Sequence, residues 1–287
     1  MSRLRRHLAP YLLILPGGLW LLLFFAVPMI TMLSLSLQQG DIVNGYAFTG
    51  HWQTYVDAFG NYRTQLFRSL LYGAIATVAL IVLAFPVAYW IAFYGGRRKA
   101  TYLFLLLLPF FVSFVLRTIS WRQILTDEGP VLGPLKDIGL LGDSFHVLGT
   151  PFAVIAGLVY NFLPFMVLPV YVALERIDPR VIEAARDLYA DPATAFRKVI
   201  LPLALPGVFA GVLMTFVPAS SDYVNSAVLG SSSTTMIGQV IQAQYLATAD
   251  YPTASALSFV LMAVLLIGVF TYARALGTED VMKVAAR

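Results

Sequence analysis

The sequence predicts an all-α, polytopic membrane protein with six transmembrane helices, and three observations support this fold class. Of its 287 residues, 59% are hydrophobic and only 12% are charged, whereas soluble globular chains carry about 25% charged residues. The charge deficit is concentrated in long uncharged runs, each near the roughly 20 residues that a helix needs to cross a bilayer. Basic residues are also distributed unequally between the two sides of these runs. A soluble core could hide one such run, but not six.

Six apolar segments are predicted to span the membrane, with ends set by glycine, proline and charge. They cover residues 9–37, 66–94, 100–120, 151–174, 207–224 and 254–273. The basic run Arg97-Arg98-Lys99 ends the second segment, because its charges cannot enter hydrocarbon. The first segment is too long for the apolar region of a signal peptide and lacks a small-x-small cleavage site. We therefore expect one transmembrane domain over residues 1–287, with the first segment retained as a helix.

The basic residues predict the orientation of the chain. With the N-terminus inside, fourteen of the nineteen lysines and arginines fall on the inner side, as the positive-inside rule requires. These fourteen are Arg3, Arg5, Arg6, Arg97, Arg98, Lys99, Arg176, Arg180, Arg186, Arg197, Lys198, Arg274, Lys283 and Arg287. Both termini are therefore predicted to be cytoplasmic.

The composition argues against several kinds of active site. The chain has no cysteine, which excludes disulfides, thiolate catalysis and cysteine-bound zinc. Its histidines, His7, His51 and His146, lie far apart and lack metal-ligand spacing. No G-x-x-x-x-G-K-[ST] motif is present, so the chain has no phosphate-binding loop for ATP. We predict no catalytic residue, no metal site and no cofactor in this chain, and a membrane enzyme is disfavoured.

Glycines and prolines within the apolar segments carry further predictions. Gly207 and Gly211 are four residues apart, a spacing that predicts a close helix-packing face. Prolines such as Pro164 and Pro218 interrupt backbone hydrogen bonding. Such breaks occur where helices line a path or rearrange, but ordinary kinks tolerated by packing remain an equal alternative.

The most informative segment is Glu175–Gly211, which is long, charged and on the predicted cytoplasmic side. Two short helices are predicted, beginning at Asp178-Pro179 and Asp191-Pro192, because aspartate is a favourable N-cap and proline suits the first helical position. Leu201-Pro202 and Leu205-Pro206 are predicted to end the second helix and return the chain to the bilayer. The first helix has an apolar stripe formed by Val181, Ile182, Ala185 and Leu188. The pattern alone fits an interfacial helix on lipid or a docking element for a soluble partner.

The same segment resembles the EAA loop of binding-protein-dependent ABC importer permeases, the MetI-like family. The matching residues are Glu183, Ala184, Ala185, Phe196, Ile200, Leu201, Pro202, Pro206 and Gly207. The glycine of the family motif is replaced by Tyr189, which precedes Ala190. The resemblance implies that the coupling loop, residues 175–206, docks in a groove of a cytoplasmic ATPase subunit. A tyrosine at this position is not expected to favour the close turn that glycine allows.

Other stretches resemble the spermidine/putrescine branch of this family. They are Leu116–Trp121 with Ile124-Leu125, Leu163–Pro169, Leu174-Glu175, Phe216–Ala219 with Asp222-Tyr223, Leu229-Gly230 and Met236–Gly238. The resemblance covers most of the chain and implies a multi-pass permease of the bacterial inner membrane. It also implies a second permease, two ATPase subunits that bind ATP and Mg, and an extracytoplasmic binding protein that delivers a polyamine. An aminophosphonate, an opine, a sugar or an anion is an alternative cargo.

A polyamine path would need carboxylates as countercharge and aromatic faces for ammonium groups. Asp222 is the leading candidate, because a lone acid within an apolar segment is costly and usually functional. Candidate ring faces and a second acid are supplied by Trp121, Tyr160, Tyr223 and Glu175. Asp222 could instead be an acid at the outer surface, Glu175 a helix-end charge, and the aromatic residues an interfacial belt. Arg117 and Arg122 are expected to pair with acids or contact the binding protein.

Overall fold

The structure is a computed structural model that describes residues 14–142 and 144–275. It contains five helices long and apolar enough to cross a membrane, or six if one bent pair counts as a single span. The basic residues predicted at the two ends, Arg3, Arg5, Arg6, Lys283 and Arg287, lie outside the described residues, as do residues 9–13 of the first predicted segment. The described part of the chain is therefore mainly helical, in agreement with the predicted fold class.

The helices and strands are numbered in chain order. The long helices are α1 (Ile14–Ser36), α2 (Gln53–Tyr94), α6 (Pro151–Glu175), α8 (Pro192–Ser220) and α11 (Tyr251–Ala275). The bent pair is α3 (Gly96–Phe111), which has 3₁₀ turns at both ends, and α4 (Phe114–Ile124). The shorter elements are β1 (Gln38–Asp41), β2 (Gly45–Phe48), α5 (Leu132–Asp137), α7 (Pro179–Asp187), α9 (Val224–Leu229) and α10 (Ile237–Leu246).

The chain divides into two compact units, of which the first comprises the residues up to Tyr62 together with Ile241–Met262. In this unit β1 and β2 form an antiparallel hairpin in which Gln38 pairs with Phe48 and Asp41 with Gly45. The Asp41 carboxylate closes the turn by accepting hydrogen bonds from the backbone N–H groups of Val43 and Asn44, at 2.8 and 2.7 Å. The sequence analysis did not predict this hairpin, because each strand has only four residues.

The second unit comprises Arg63–Val240 and the residues from Ala263 onward. Its core has a fully buried stripe along α2 at Ala76, Leu80, Ala84 and Ala88, in which three of the four side chains are small. These pack in one cluster with residues of α6 and α8, including Leu158 and Ala204. Small residues let membrane helices approach closely, which is the main source of their packing energy in lipid.

The predicted glycine packing face is confirmed at the contact between α6 and α8. A Cβ added at Gly207 would lie 2.5 Å from the Pro169 carbonyl oxygen and the Ala173 Cβ, and one added at Gly211 would lie 2.5 Å from the Met166 Sδ. The Pro169 backbone cannot move aside as the Met166 side chain can, so the helix separation requires glycine most strictly at position 207.

Two predicted helix boundaries in α8 are wrong. The helix does not end at Pro202 or Pro206 but runs through both to Ser220. A π-helical turn, Phe196–Ile200, directly precedes Pro202, with the Leu201 N–H donating to the Phe196 carbonyl. Local π adjustments of this kind let membrane helices accommodate proline. At the other end, the predicted segment 207–224 stops at Ser220 and a separate helix, α9, begins at Val224.

The third predicted segment, 100–120, is not one straight helix. Its two parts, α3 and α4, meet at an angle of 89°. The bend occurs because Val112 and Ser113 adopt extended backbone angles between the 3₁₀ turn that contains Pro109 and the first turn of α4. The segments predicted at 66–94, 151–174 and 254–273 lie within α2, α6 and α11.

Candidate functional site

The break between α8 and α9 is the centre of the candidate functional site. Asp222 lies in this break, outside both helices, and only 8% of its surface is exposed. Its Oδ1 accepts a 2.7 Å hydrogen bond from the Asn225 backbone N–H at the start of α9. The Asp222 side chain caps α9 and so favours a break in the backbone over a longer α8. This explains why α8 ends at Ser220 and not at residue 224 as predicted.

Asp222 belongs to a buried polar network of four side chains. The Asn225 Nδ2 donates to the Asp222 Oδ1 at 3.2 Å, and the Asn225 Oδ1 accepts from the Asn161 Nδ2 at 3.1 Å. The Asn161 Nδ2 also donates to the Thr118 Oγ1 at 3.2 Å. This network joins α4, α6 and the break after α8, so a carboxylate is fixed among three helices of the second unit.

Glycines allow the backbone around the break to pack at close range. A Cβ at Gly157 would lie 2.5 Å from the Asn225 Oδ1, and one at Gly238 would overlap the Ser221 carbonyl oxygen. The Ile237 N–H donates to the Ser69 Oγ at 2.8 Å, which ties the start of α10 to α2. The stretches that resemble the polyamine branch, Asp222-Tyr223 and Met236–Gly238 among them, are thus brought to one place.

Two of the predicted ring faces are also brought together. Trp121 on α4 and Tyr160 on α6 pack edge to face, with ring centroids 5.2 Å apart. Tyr160 precedes Asn161, and Trp121 lies three residues after Thr118, so this aromatic pair adjoins the polar network. Tyr223 follows Asp222 and is 43% exposed.

Glu175, the fifth predicted path residue, lies apart from the others. It ends α6, fourteen residues beyond Asn161, which corresponds to about 21 Å along the helix. Its Oε1 lies 3.4 Å from the Lys99 Nζ in an ion pair at the protein surface. Asp222 and Glu175 therefore do not form a single site.

Arg117 does not pair with an acid among the described residues, so the first of its two predicted roles is wrong, and contact with a binding protein stays a prediction. Its guanidinium lies over the Phe110 ring, 4.2 Å from the centroid, and its side chain is buried. Its Nε and Nη1 have no hydrogen-bond partner in the described part of the chain. Contact with the ring gives a partly desolvated cation a favourable electrostatic environment. Arg122 is exposed.

The coupling loop has the two predicted helix starts. The Asp178 carboxylate accepts from the Arg180 N–H at 2.9 Å to begin α7, and the Asp191 carboxylate accepts from the Thr194 N–H at 3.4 Å at the start of α8. The hydrogen bonds from Thr194 hold the pKa of Asp191 below its usual value. Each cap is followed by proline at the first helical position, so the predicted cap chemistry is confirmed.

Residue 189 adopts the backbone conformation that glycine favours, although it is a tyrosine. Its φ is +58°, and its side chain is 98% exposed. The Tyr189 N–H donates to the Arg186 carbonyl and the Ala190 N–H to the Ala185 carbonyl, which closes the end of α7. The expectation that tyrosine would disfavour the close turn is therefore wrong. The turn is retained at a cost of about 1–2 kcal/mol for the left-handed residue.

The remaining loop residues divide between anchoring and exposed positions. Phe196 packs edge to face on Phe85 of α2, with centroids 5.5 Å apart, and Ala185 is buried. Ile182 contacts the same core, but Leu188 of the predicted apolar stripe is exposed. The exposed residues of the motif include Glu183 and Ala184, whereas Leu201 and Pro202 continue into the long helix.

The sequence analysis missed Thr118, Asn161 and Asn225. Asn161 lies within the apolar segment 151–174, and an amide in the middle of a membrane helix is costly and marks a packing or binding position. That signal could have identified it, but its partners lie 43 and 64 residues away. Within residues 14–142 and 144–275, no three histidine or acidic side chains are grouped as a metal site requires.

Comparison with known proteins identifies the family. A family model described as binding-protein-dependent transport system inner membrane component matches residues 8–276. The spermidine/putrescine transport system permease protein PotB of Haemophilus influenzae is 35% identical over 257 residues, 89% of this chain and 90% of that protein. PotB of Escherichia coli is 33% identical over 89% of this chain and 94% of its own length.

The fold is also found in solved transporters. The structure of a bacterial ABC transporter involved in the import of the acidic polysaccharide alginate superposes with a TM-score of 0.77, covering 96% of this chain and 98% of the other. Because the identity is only 19%, this similarity shows a shared fold and gives no information on the cargo. The chain belongs to the family of inner membrane components of binding-protein-dependent transport systems.

Proposed function

We propose that this chain forms the translocation path for a polyamine, such as spermidine or putrescine, as a permease subunit of an ATP-driven importer. The observation that carries the proposal is a nearly buried carboxylate, Asp222, held in a break between two helices of a membrane protein. An intramembrane acid requires a countercharge, and a cargo ammonium group would supply one. The relatives named as spermidine/putrescine permeases support the same cargo.

The aromatic pair beside the network suits this cargo. Trp121 and Tyr160 adjoin the residues that hold Asp222, and a desolvated ammonium group gains roughly 0.5–2 kcal/mol over a ring face. Tyr223 offers a more exposed ring near the same carboxylate. Glu175, in its ion pair with Lys99, acts separately, near the inner end of the path.

The topology in the proposal has six spans, with α3 and α4 forming one bent span and both termini in the cytoplasm. The positive-inside distribution supports this orientation, and it places the coupling loop on the side where ATP is available. Because the chain lacks a phosphate-binding loop, ATP and Mg bind to two partner ATPase subunits. A second permease completes the path, and an extracytoplasmic binding protein delivers the cargo.

The coupling loop transmits the movement of the ATPase subunits in this proposal. Phe196 anchors the loop to α2. The surface of the loop carries Glu183, Ala184, Tyr189 and Ala190. An exposed surface on an anchored base is suited to docking a rigid partner. The loop would convert ATPase closure into alternating access of the cargo path.

The test is uptake of labelled spermidine by cells in which this gene is deleted and then restored, in a strain without other polyamine importers. The proposal predicts that uptake disappears with the deletion and returns with the gene. Unchanged uptake would overturn the polyamine cargo. Uptake of an aminophosphonate, an opine or a sugar that follows the gene instead would assign the alternative cargo.

A further inference from the structure

The polar network ends in an acceptor that nothing in the described protein satisfies. The Asn161 Oδ1 is buried and has no hydrogen-bond partner, and Asn161 as a whole is 1% exposed. Leaving a buried acceptor unpaired costs about 1–3 kcal/mol. Such a group in a transporter calls for a ligand that can donate a hydrogen bond to it.

The orientation of the Asn161 amide is fixed from both ends of the network. The Thr118 hydroxyl donates its single proton to the Phe114 carbonyl at 3.1 Å, so its oxygen can only accept from Asn161. At the other end, the Asp222 Oδ1 accepts from the Asn225 backbone N–H and also from the Asn225 Nδ2, so the donor side of the Asn225 amide faces Asp222. The Asn225 Oδ1 is left as a second acceptor for the Asn161 Nδ2. Rotating the Asn161 amide would therefore break two hydrogen bonds.

Arg117 also has unpaired donors, but none of them donates to this oxygen. It precedes Thr118 on α4, and its guanidinium lies over the Phe110 ring, 4.2 Å from the centroid. The Asn161 Oδ1 is therefore an unpaired acceptor, and two hydrogen bonds through Asn225 connect its amide to the Asp222 carboxylate. An acceptor beside a carboxylate matches a cationic donor, and an ammonium group has both the charge and the N–H.

We propose that Asn161 is a cargo-binding residue whose Oδ1 accepts a hydrogen bond from an ammonium N–H of the cargo held near Asp222. This inference rests on the proposed transport of a polyamine. It assigns separate roles to the two atoms of one amide, because Nδ2 holds the network together and Oδ1 binds the cargo.

Two variants at position 161 separate these roles. Asn161→Asp keeps an acceptor oxygen but loses both donors, whereas Asn161→Ala loses donors and acceptor alike. The proposal predicts that Asn161→Asp keeps putrescine uptake within about threefold of the wild type. It predicts that Asn161→Ala lowers uptake at least tenfold, as expected when a hydrogen bond to a charged group is lost.

Uptake is measured in the deleted strain carrying each variant and is normalised to the amount of assembled complex in the membrane. A fall of equal size in assembled Asn161→Asp and Asn161→Ala would overturn the proposal, because the donors would then be the groups that matter. If Asn161→Ala fails to assemble, loss of uptake in assembled Asn161→Asp alone overturns it. Failure of the wild-type gene to restore putrescine or spermidine uptake would instead refute the proposed function, and the Asn161 inference with it.

Discussion

The coupling loop and the polar network hold their polar groups in opposite environments. In the loop, the caps formed by Asp178 and Asp191 join atoms no more than three residues apart and are exposed. In the network, Asn161 bonds to partners 43 and 64 residues away, all of them buried. A buried polar group has no water to replace a lost partner, whereas an exposed group does. Substitutions in the network should therefore lower the free energy of unfolding, whereas substitutions in the loop should mainly weaken the binding of a partner protein.

Backbone packing shows the same contrast. Around the break after α8, a Cβ at Gly238 would overlap the Ser221 carbonyl oxygen. In the loop, Tyr189 occupies a left-handed position with its side chain in the open. The backbone around Gly238 leaves no room for a methyl group, whereas the turn at residue 189 accommodates a tyrosine side chain.

Gly238→Ala should give the largest loss of stability. The added methyl group meets backbone atoms of Ser221 and Asp222, which cannot move aside as a side chain can, and overpacking of this kind costs about 1–3 kcal/mol. We expect a lower melting temperature of the purified protein in detergent and less protein in the membrane. Gly268→Ala is the matched control, because a Cβ there meets nothing within 4 Å. Equal effects of the two changes would contradict the packing account.

Asp222→Ala should destabilise the protein more than Asp222→Asn. Alanine removes the oxygen that accepts from the Asn225 N–H, and loss of such a cap costs about 0.5–2 kcal/mol. Asparagine keeps an equivalent oxygen and removes only the charge. Thermal unfolding of the two variants measures the difference. An asparagine variant as unstable as the alanine variant would show that the charge, and not the cap, stabilises the break.

Tyr189→Gly should stabilise the turn at the end of α7. Glycine adopts a positive φ without the steric cost of a Cβ, so about 1 kcal/mol of local strain is relieved. Slower hydrogen exchange of the Tyr189 and Ala190 amides would measure this gain. Leu188→Gly is the control, because residue 188 has a negative φ of −86° and gains no relief. Faster hydrogen exchange of these amides in Tyr189→Gly than in the wild type would contradict backbone strain at residue 189.

Asp191→Ala should have the smallest effect, limited to the first turn of α8. Without the carboxylate, the Thr194 N–H loses its partner. We expect hydrogen exchange there to accelerate about twofold, the lower end of the cost of losing an N-cap, because this cap is exposed and its hydrogen bond is long. Asp191→Asn should exchange as the wild type does. Because the pKa of Asp191 is lowered in the folded loop, its contribution is present above the unfolded pKa of about 3.9 and is lost as the pH falls. Exchange in Asp191→Ala that matched the wild type at neutral pH would contradict a capping role.

The sequence predicted the loop better than the network for a physical reason. N-caps at Asp178 and Asp191 depend on neighbouring residues, so they were readable from the sequence, and the apolar runs located the long helices. The sequence pattern does not predict the bend at Val112 or the helix through Pro202, because each depends on a local backbone adjustment near a proline. It does not predict the hairpin, because each strand has only four residues. Asp222 was singled out as a lone acid, but Thr118, Asn161 and Asn225 become a network only when three segments pack together.

We propose that the buried charge at Asp222 binds the cargo and that the coupling loop docks on the ATPase. The two roles are separated by measuring ATP hydrolysis and labelled spermidine uptake in the same proteoliposomes, prepared with the assembled importer. We predict that Asp222→Asn keeps basal ATP hydrolysis near the wild-type rate and lowers uptake at least tenfold. Wild-type uptake in Asp222→Asn, or an equal loss of hydrolysis and uptake in a correctly assembled complex, would contradict the account.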